Sequence, residues 1–286
     1  IALANGAAAT KNISNIILMD SDFSNMKASV LEGRRVINNI QRSATLFIMK
    51  DICWFFVTLL PLILGIPHLI EPTVMTITNI ILSGLCAFLL AFEPDSTRIS
   101  GSFVKNVLGK AISAGFFMFL PIFCIYVYAF CKFGVGNVEG VKAFIQSDMI
   151  PIMSLCVTIS SVVIFYNICH PFTKYRRFVF IFAVAVILLL LLGIPEFFLI
   201  NGTEFMNSLM SSCASLGEAI GKLWGMLFSF EIYKSFTLEQ WLITAVFLII
   251  SLVLFYISDR IIMRVLNVTM FNKKPLIDDD DPTDEN

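Results

Sequence analysis

The sequence predicts an all-α polytopic membrane bundle of six transmembrane helices, preceded by a small α/β segment. Three observations lead there. Of 286 residues, 57% are hydrophobic and 14% charged, where a soluble domain carries about 25% charged. A mean hydropathy of +0.84 would coat a water-soluble globule with apolar side chains. Six windows are mostly apolar over about 20 residues, the length a helix needs to cross roughly 30 Å of hydrocarbon.

The windows run 44–66, 74–92, 111–130, 149–169, 178–199 and 241–262. Gly65, Ile66 and Pro67, with a short loop ending at Pro72, separate the first two and predict an antiparallel hairpin. The segment Ile200 to Gln240 has an amphipathic pattern and is expected to hold an interfacial helix, with Trp224 and Trp241 at a membrane boundary. If residues 1–43 are cytoplasmic, so are the loops 93–110 and 170–177 and the tail 263–286. That side, counting Arg260 at the edge of the tail, holds ten Lys and Arg, among them Lys110, Arg176 and Arg177, beyond those of the N-terminal segment. The opposite side holds four: Lys132, Lys142, Lys222 and Lys234. The bias places both ends in the cytoplasm.

Residues 1–43 are a different material. The run Asn15-Ile-Ile-Leu-Met19, bounded by Asp20 and Asp22, predicts a short buried strand leaving into a turn. Ser24 is the expected N-cap of a helix from Asn25. No Pro follows until Pro61, and Gly33 is the only Gly before it, so this helix is expected to enter the first span unbroken, as a rod of about 54 Å. The divisions are therefore 1–23, a soluble end piece; 24–43, a stalk helix; 44–262, the membrane domain; and 263–286, an acidic tail, expected to be disordered from Asp278. The chain starts at Ile1 rather than Met, and its true N-terminus is expected upstream. No fixed-period repeat or inverted half-and-half pattern is visible.

Polar groups inside the spans are costly, about 2.5–3.5 kcal/mol for a charge at a helix centre, and so are functional candidates. Lys50 and Asp51 sit in the first span; as adjacent helical residues they point apart rather than at each other. Asn79 and Ser83 share one face of the second span, and Thr158, Ser160, Ser161 and Asn167 lie in the fourth. Asp51 reads as a transport-site residue or a structural hydrogen-bond acceptor, and Asn79 as an ion ligand or an interhelical hydrogen bond. The seven cysteines lie mostly in apolar runs and read as small packing residues. His68 and His170 fall at turn and helix-end positions, which suits interface or solvent roles. The basic residues flank membrane windows, so no nucleic-acid partner is indicated.

Ile1-Ala-Leu-Ala-Asn-Gly6, Asn15 to Phe23 with its Asp20-Ser-Asp22 turn, and Glu32-Gly-Arg-Arg-Val-Ile-Asn-Asn-Ile40 occur in that order before a membrane hairpin. This ordered set resembles P-type ATPases, closest to their bacterial cation-translocating branch. The resemblance implies the end of a HAD-like phosphorylation domain followed by membrane helices five to ten. It implies Mg2+ and ATP bound by missing upstream domains, since the phosphate-accepting, nucleotide-binding and magnesium motifs are absent from this chain. The expected partners are a transported cation, divalent or monovalent, membrane lipids and the missing N-terminal half. The expected location is a bacterial plasma membrane. The fragment alone is expected to hold no catalytic residue and to be inactive.

Matched to calcium pumps of this family, Asp51 and Asn79 take the places of ion-binding Asn residues on helices five and six. Trp54 and Ser160 replace their Glu residues, while Leu82 and Ser83 replace a Thr and an Asp. A hard divalent ion wants six to eight oxygens, so two calcium sites of that type do not fit, and one site shared with a missing helix does. Lys50 resembles the Lys that proton/potassium pumps and lipid flippases carry here; it reads as an internal counter-cation or as a side chain snorkelling to the cytoplasmic interface. Asp20 and Asp22 form a structural turn and cap, or touch the phosphorylation site. Glu93-Pro94-Asp95 matches a loop that contacts the head in this family, though ordinary loop chemistry explains it equally well. The resulting function is an ATP-driven cation pump. The alternatives are a lipid or polyamine translocase of the same family, or a stand-alone membrane protein.

Overall fold

Two apolar dipeptides, Ala2–Leu3 (β1) and Ile17–Leu18 (β2), pair in parallel, Ala2 opposite Ile17 and Leu3 opposite Leu18, across the six-residue helix α1 (Ala8–Ile13). The structure is a computed structural model describing residues 1–20, 22–64, 72–99, 101–134, 136–193 and 237–265. Ala2 and Leu18 are buried, whereas Ile16, Ile17 and Met19 are exposed. The expected buried strand is therefore a half-covered one. A two-stranded sheet and one short helix cover one face only among the described residues.

Asp22 accepts hydrogen bonds from the Ser24 backbone N–H (2.9 Å) and hydroxyl (2.7 Å), a local turn that launches α2 (Asn25–Leu64). At 40 residues α2 is about 60 Å long. Pro61 lies inside it, in the last turn, where loss of one backbone donor disrupts few helical bonds.

The second apolar window departs from a regular α-helix. A 3-10 turn (Pro72–Met75) leads into a nine-residue π-helical stretch (Thr78–Cys86) and then α3 (Ala87–Ala91). The widened turns include Thr78, Asn79 and Ser83, three of the polar residues of the window. The Thr78 hydroxyl donates to Ser161 Oγ at 3.2 Å, and the Ser83 hydroxyl donates to the Leu46 carbonyl at 3.2 Å. Such stretches are often found at functional sites.

The remaining helices are α4 (Phe103–Phe133), α5 (Val138–Phe144), a π turn (Ile145–Met149), α6 (Ile150–Cys169), α7 (Lys174–Gly193) and α8 (Leu238–Val265). Helix α4 starts eight residues before the window that predicts it. Lys110, expected in a cytoplasmic loop, is thus a buried residue on α4, and Arg176 is likewise buried in the first turn of α7. By length and composition α2, α4, α6, α7 and α8 suffice to cross a membrane, and Thr78–Ala91 is a shorter apolar helix. The turn at Gly65–Pro67, His68, the interfacial segment through residue 236 with Trp224, and the acidic tail lie outside the described residues.

The core lies where α4 and α6 meet α2 and the π stretch, around Met49, Leu82, Phe117, Tyr126 and Phe165. Gly115 sets the α2–α4 spacing: a Cβ there would meet the Met49 carbonyl oxygen at 2.6 Å and Ile52 Cγ2 at 2.7 Å. Helix α8 runs antiparallel along α4. Lys110 reaches Asp259 at 3.2 Å near one end, Phe117 stacks on Phe255 at 4.5 Å, and Tyr128 donates to Glu239 at the other end.

Candidate functional site

The apolar stripe Leu46, Met49, Cys53 and Val57 buries one face of α2, which turns Asp51 to the side away from it. There Lys50, Asp51 and Trp54 of α2 meet Met75 and Asn79 around a cavity of about 130 Å³. Asp51 and Asn79 are exposed, and Lys50 is half-buried. Among the described residues no hydrogen bond or ion pair engages Asp51. The Lys50 ammonium lies 5.7 Å from the centre of the Phe47 ring, toward the N-terminal end of α2. The residues lining the cavity thus include one acidic, one basic and one amide residue, so their formal charges balance. No ion pair joins Lys50 to Asp51 among the described residues.

Two of the other sequence-predicted residues fall elsewhere. Ser83 is buried with its hydroxyl on the Leu46 carbonyl, and Ser160 is buried on α6 with no hydrogen-bond partner for its hydroxyl among the described residues. Neither lines the cavity. Asp20 and Asp22 are exposed at the foot of α2. Among the described residues no three His, Cys, Asp or Glu side chains gather as a metal-binding group.

Sequence reading missed a second polar centre. Arg42 contacts Glu93 (3.0 Å) and Asp95 (2.6 Å), and Arg176 contacts the same two carboxylates, both at 2.7 Å. All four side chains are at most 8% exposed. Neutral donors complete the cluster. Asn38 donates to the carbonyls of Asp95 (3.2 Å) and Thr97 (2.9 Å), and Asn39 to those of Ala91 (2.9 Å) and Glu93 (2.8 Å). Ser43 donates to the Ala87 carbonyl (2.9 Å), Tyr175 to that of Leu89 (2.7 Å), and the Thr173 hydroxyl to Glu93 (3.0 Å). Burial by itself would raise the Asp95 carboxyl. The Arg42 guanidinium and the Thr97 hydroxyl and backbone N–H outweigh it and hold Asp95 below its ordinary value. The available signal was a polar stripe, Asn38, Asn39 and Arg42, at helical spacing on a helix about to enter the membrane.

No protein-family model matches the chain. Over 156 residues it is 29% identical to a calcium-transporting ATPase of Mycolicibacterium smegmatis, covering 50% of this chain and 19% of that protein. Over 143 residues it is 31% identical to a calcium-transporting ATPase of Mycobacterium tuberculosis, covering 46% and 18%. A probable cation-transporting ATPase of Streptococcus pneumoniae is 24% identical over 194 residues, covering 64% and 23%. Its homologues are P-type cation- and calcium-transporting ATPases. The chain spans about a fifth of the length of the curated relatives it matches. With its apolar helices, this likeness identifies an integral membrane protein.

Proposed function

We propose that the chain is the C-terminal transmembrane transport region of an ATP-driven P-type cation pump, with its cation site at Asp51 and Asn79. The observation that carries this reading is Asp51: a carboxylate in a membrane-crossing helix, free of any structural pairing among the described residues, facing a cavity shared with an amide and an ammonium. A charge so placed costs a few kcal/mol and is kept where it does work. Ser83 and Ser160 are further candidate oxygens, from the π stretch and from α6. Lys50 is assigned as the internal counter-cation. ATP and Mg2+ would be bound by an upstream half that phosphorylates itself on an aspartate, with the turn at Asp20 and Asp22 closing the end of that domain. No described residue is assigned to either cofactor.

In this reading α2 is the transmission element, since one unbroken helix joins the soluble end to the cavity. The protein sits in a bacterial plasma membrane with both ends cytoplasmic. The relatives' names refer to calcium and cations, which weighs against the lipid or polyamine alternative. The test is reconstitution of the full-length protein in vesicles. ATP-dependent flux of one cation and an acid-stable phosphoenzyme are expected, with calcium, magnesium, manganese and potassium screened beside lipids and polyamines. A protein that forms no phosphoenzyme sinks the mechanism, and stimulation by lipid alone reverses the choice of substrate.

A further inference from the structure

Helix α2 changes character at Asn38. No residue from Asn25 to Ile37 is buried, and a Cβ added at Gly33 would meet nothing within 4 Å. From Asn38 to Ser43, four of six side chains bind the backbone or carboxylates of the segment that leaves the π stretch. The same segment is gripped from its other side by Tyr175 and Arg176 of α7. Three elements distant in sequence therefore meet at one buried four-charge cluster.

Burying four charges is a poor route to stability, because apolar residues of similar volume commonly do as well or better. What such a cluster supplies is fixed geometry with a defined set of partners. The exposed arm, thirteen residues from Asn25 to Ile37, is about 20 Å long, and Arg42 to Asp51 is about 14 Å. The clamp stands between the arm and the cavity. It holds both walls of that cavity: α2, which carries Asp51, and α3, which continues the stretch carrying Asn79.

We infer that the Arg42–Glu93–Asp95–Arg176 cluster is a fulcrum, and that Arg42 and Arg176 are positioning residues that make α2, α3 and the start of α7 move as one body. A displacement of the arm then reaches Asp51 and Asn79 together instead of bending α2 alone. The inference rests on the pump reading above.

The test uses the full-length protein in vesicles, comparing ATP hydrolysis with cation flux in the unaltered protein, Arg176→Gln and Asn38→Ala. Asn38→Ala removes neutral hydrogen bonds and orphans no charge, so it decides alone if Arg176→Gln does not fold. Hydrolysis is expected within about twofold of the unaltered protein. Cations moved per ATP should fall by about fivefold in Asn38→Ala and about tenfold or more in Arg176→Gln, following the strengths of neutral and charge-assisted hydrogen bonds. Hydrolysis and flux falling in parallel, or an unchanged ratio, overturns the fulcrum. Unaltered protein that shows no ATP-driven flux overturns the pump reading instead, which separates the two failures.

Discussion

Lys110 and Asp259 stand 149 positions apart in the chain and form an ion pair at 3.2 Å inside the bundle, with the Ser113 hydroxyl a further 3.3 Å from the same carboxylate oxygen. Apolar helices in lipid gain little from hydrophobic association with one another, so polar contacts of this kind carry much of the choice of partner. Helix α8 is otherwise mostly apolar surface, with Leu242, Val246, Ile249 and Val253 exposed.

Lys110→Met should therefore loosen α8, because it leaves Asp259 without its cation in a low-dielectric setting. A loss of about 2 kcal/mol is expected, below the range for fully buried pairs since Asp259 keeps some exposure. The exchange Lys110→Asp with Asp259→Lys should recover much of it. Thermal unfolding in detergent reads both; an unshifted midpoint in Lys110→Met removes the pair from the account of α8 docking.

Gly115→Ala tests the α2–α4 contact. Its new methyl would sit 2.6 Å from a backbone oxygen, which cannot rotate away as a side-chain tip can. About 1–3 kcal/mol of destabilisation is expected from the forced separation. A neutral result in the same unfolding assay would show that α4 shifts freely along α2.

Asp95 gives an acid-side signature. Its carboxyl titrates below the ordinary 3.8 in the folded protein, so the folded state favours the charged form. The stability it contributes is whole above pH 3.8 and drains away as pH falls through the lower folded value. Asp95→Asn should be less stable than the unaltered protein at neutral pH, and the gap should close in acid. A gap that stays constant down the acid limb contradicts the assignment.

At the cavity, Asp51→Asn keeps an oxygen and removes the charge. The cation concentration for half-maximal ATPase in the full-length protein should rise about tenfold, equivalent to about 1.4 kcal/mol. Lys50→Ala distinguishes its two roles. A counter-cation predicts altered activation and a double variant less impaired than the sum of the singles. Snorkelling toward Phe47 predicts a near-silent single and additivity within about 0.5 kcal/mol.

What could be read in advance follows physical range. The long helices were legible because an apolar run of membrane length has one common outcome: α6 matches its window to within one residue, α8 extends its own by three at each end, and α4 by eight and three. Lys50, Asp51 and Asn79 could be singled out because polar residues in such runs are rare. The π stretch was not legible, since hydropathy carries no information about pitch. The fulcrum was not legible either: its partners are 51 to 83 residues apart, and nothing local in Glu93-Pro94-Asp95 says which arginines it faces. One local signal was overlooked. Thr237 and Gln240 exchange hydrogen bonds (2.8 and 3.3 Å) as a capping box, which starts α8 three residues before the window that predicts it.

The antiparallel seam between α4 and α8 has a consequence for the lipid around it. Its two polar ties lie eighteen residues apart on α4 (Lys110 to Tyr128) and twenty apart on α8 (Glu239 to Asp259), about 27 and 30 Å along the axes. That span equals the thickness of a bilayer's hydrocarbon layer. Fastened at both faces, the two helices cannot answer a thinner or thicker bilayer by sliding past each other. They must tilt as a pair, or the surrounding lipid must stretch or compress to meet them, which makes this edge of the bundle a fixed gauge of membrane thickness.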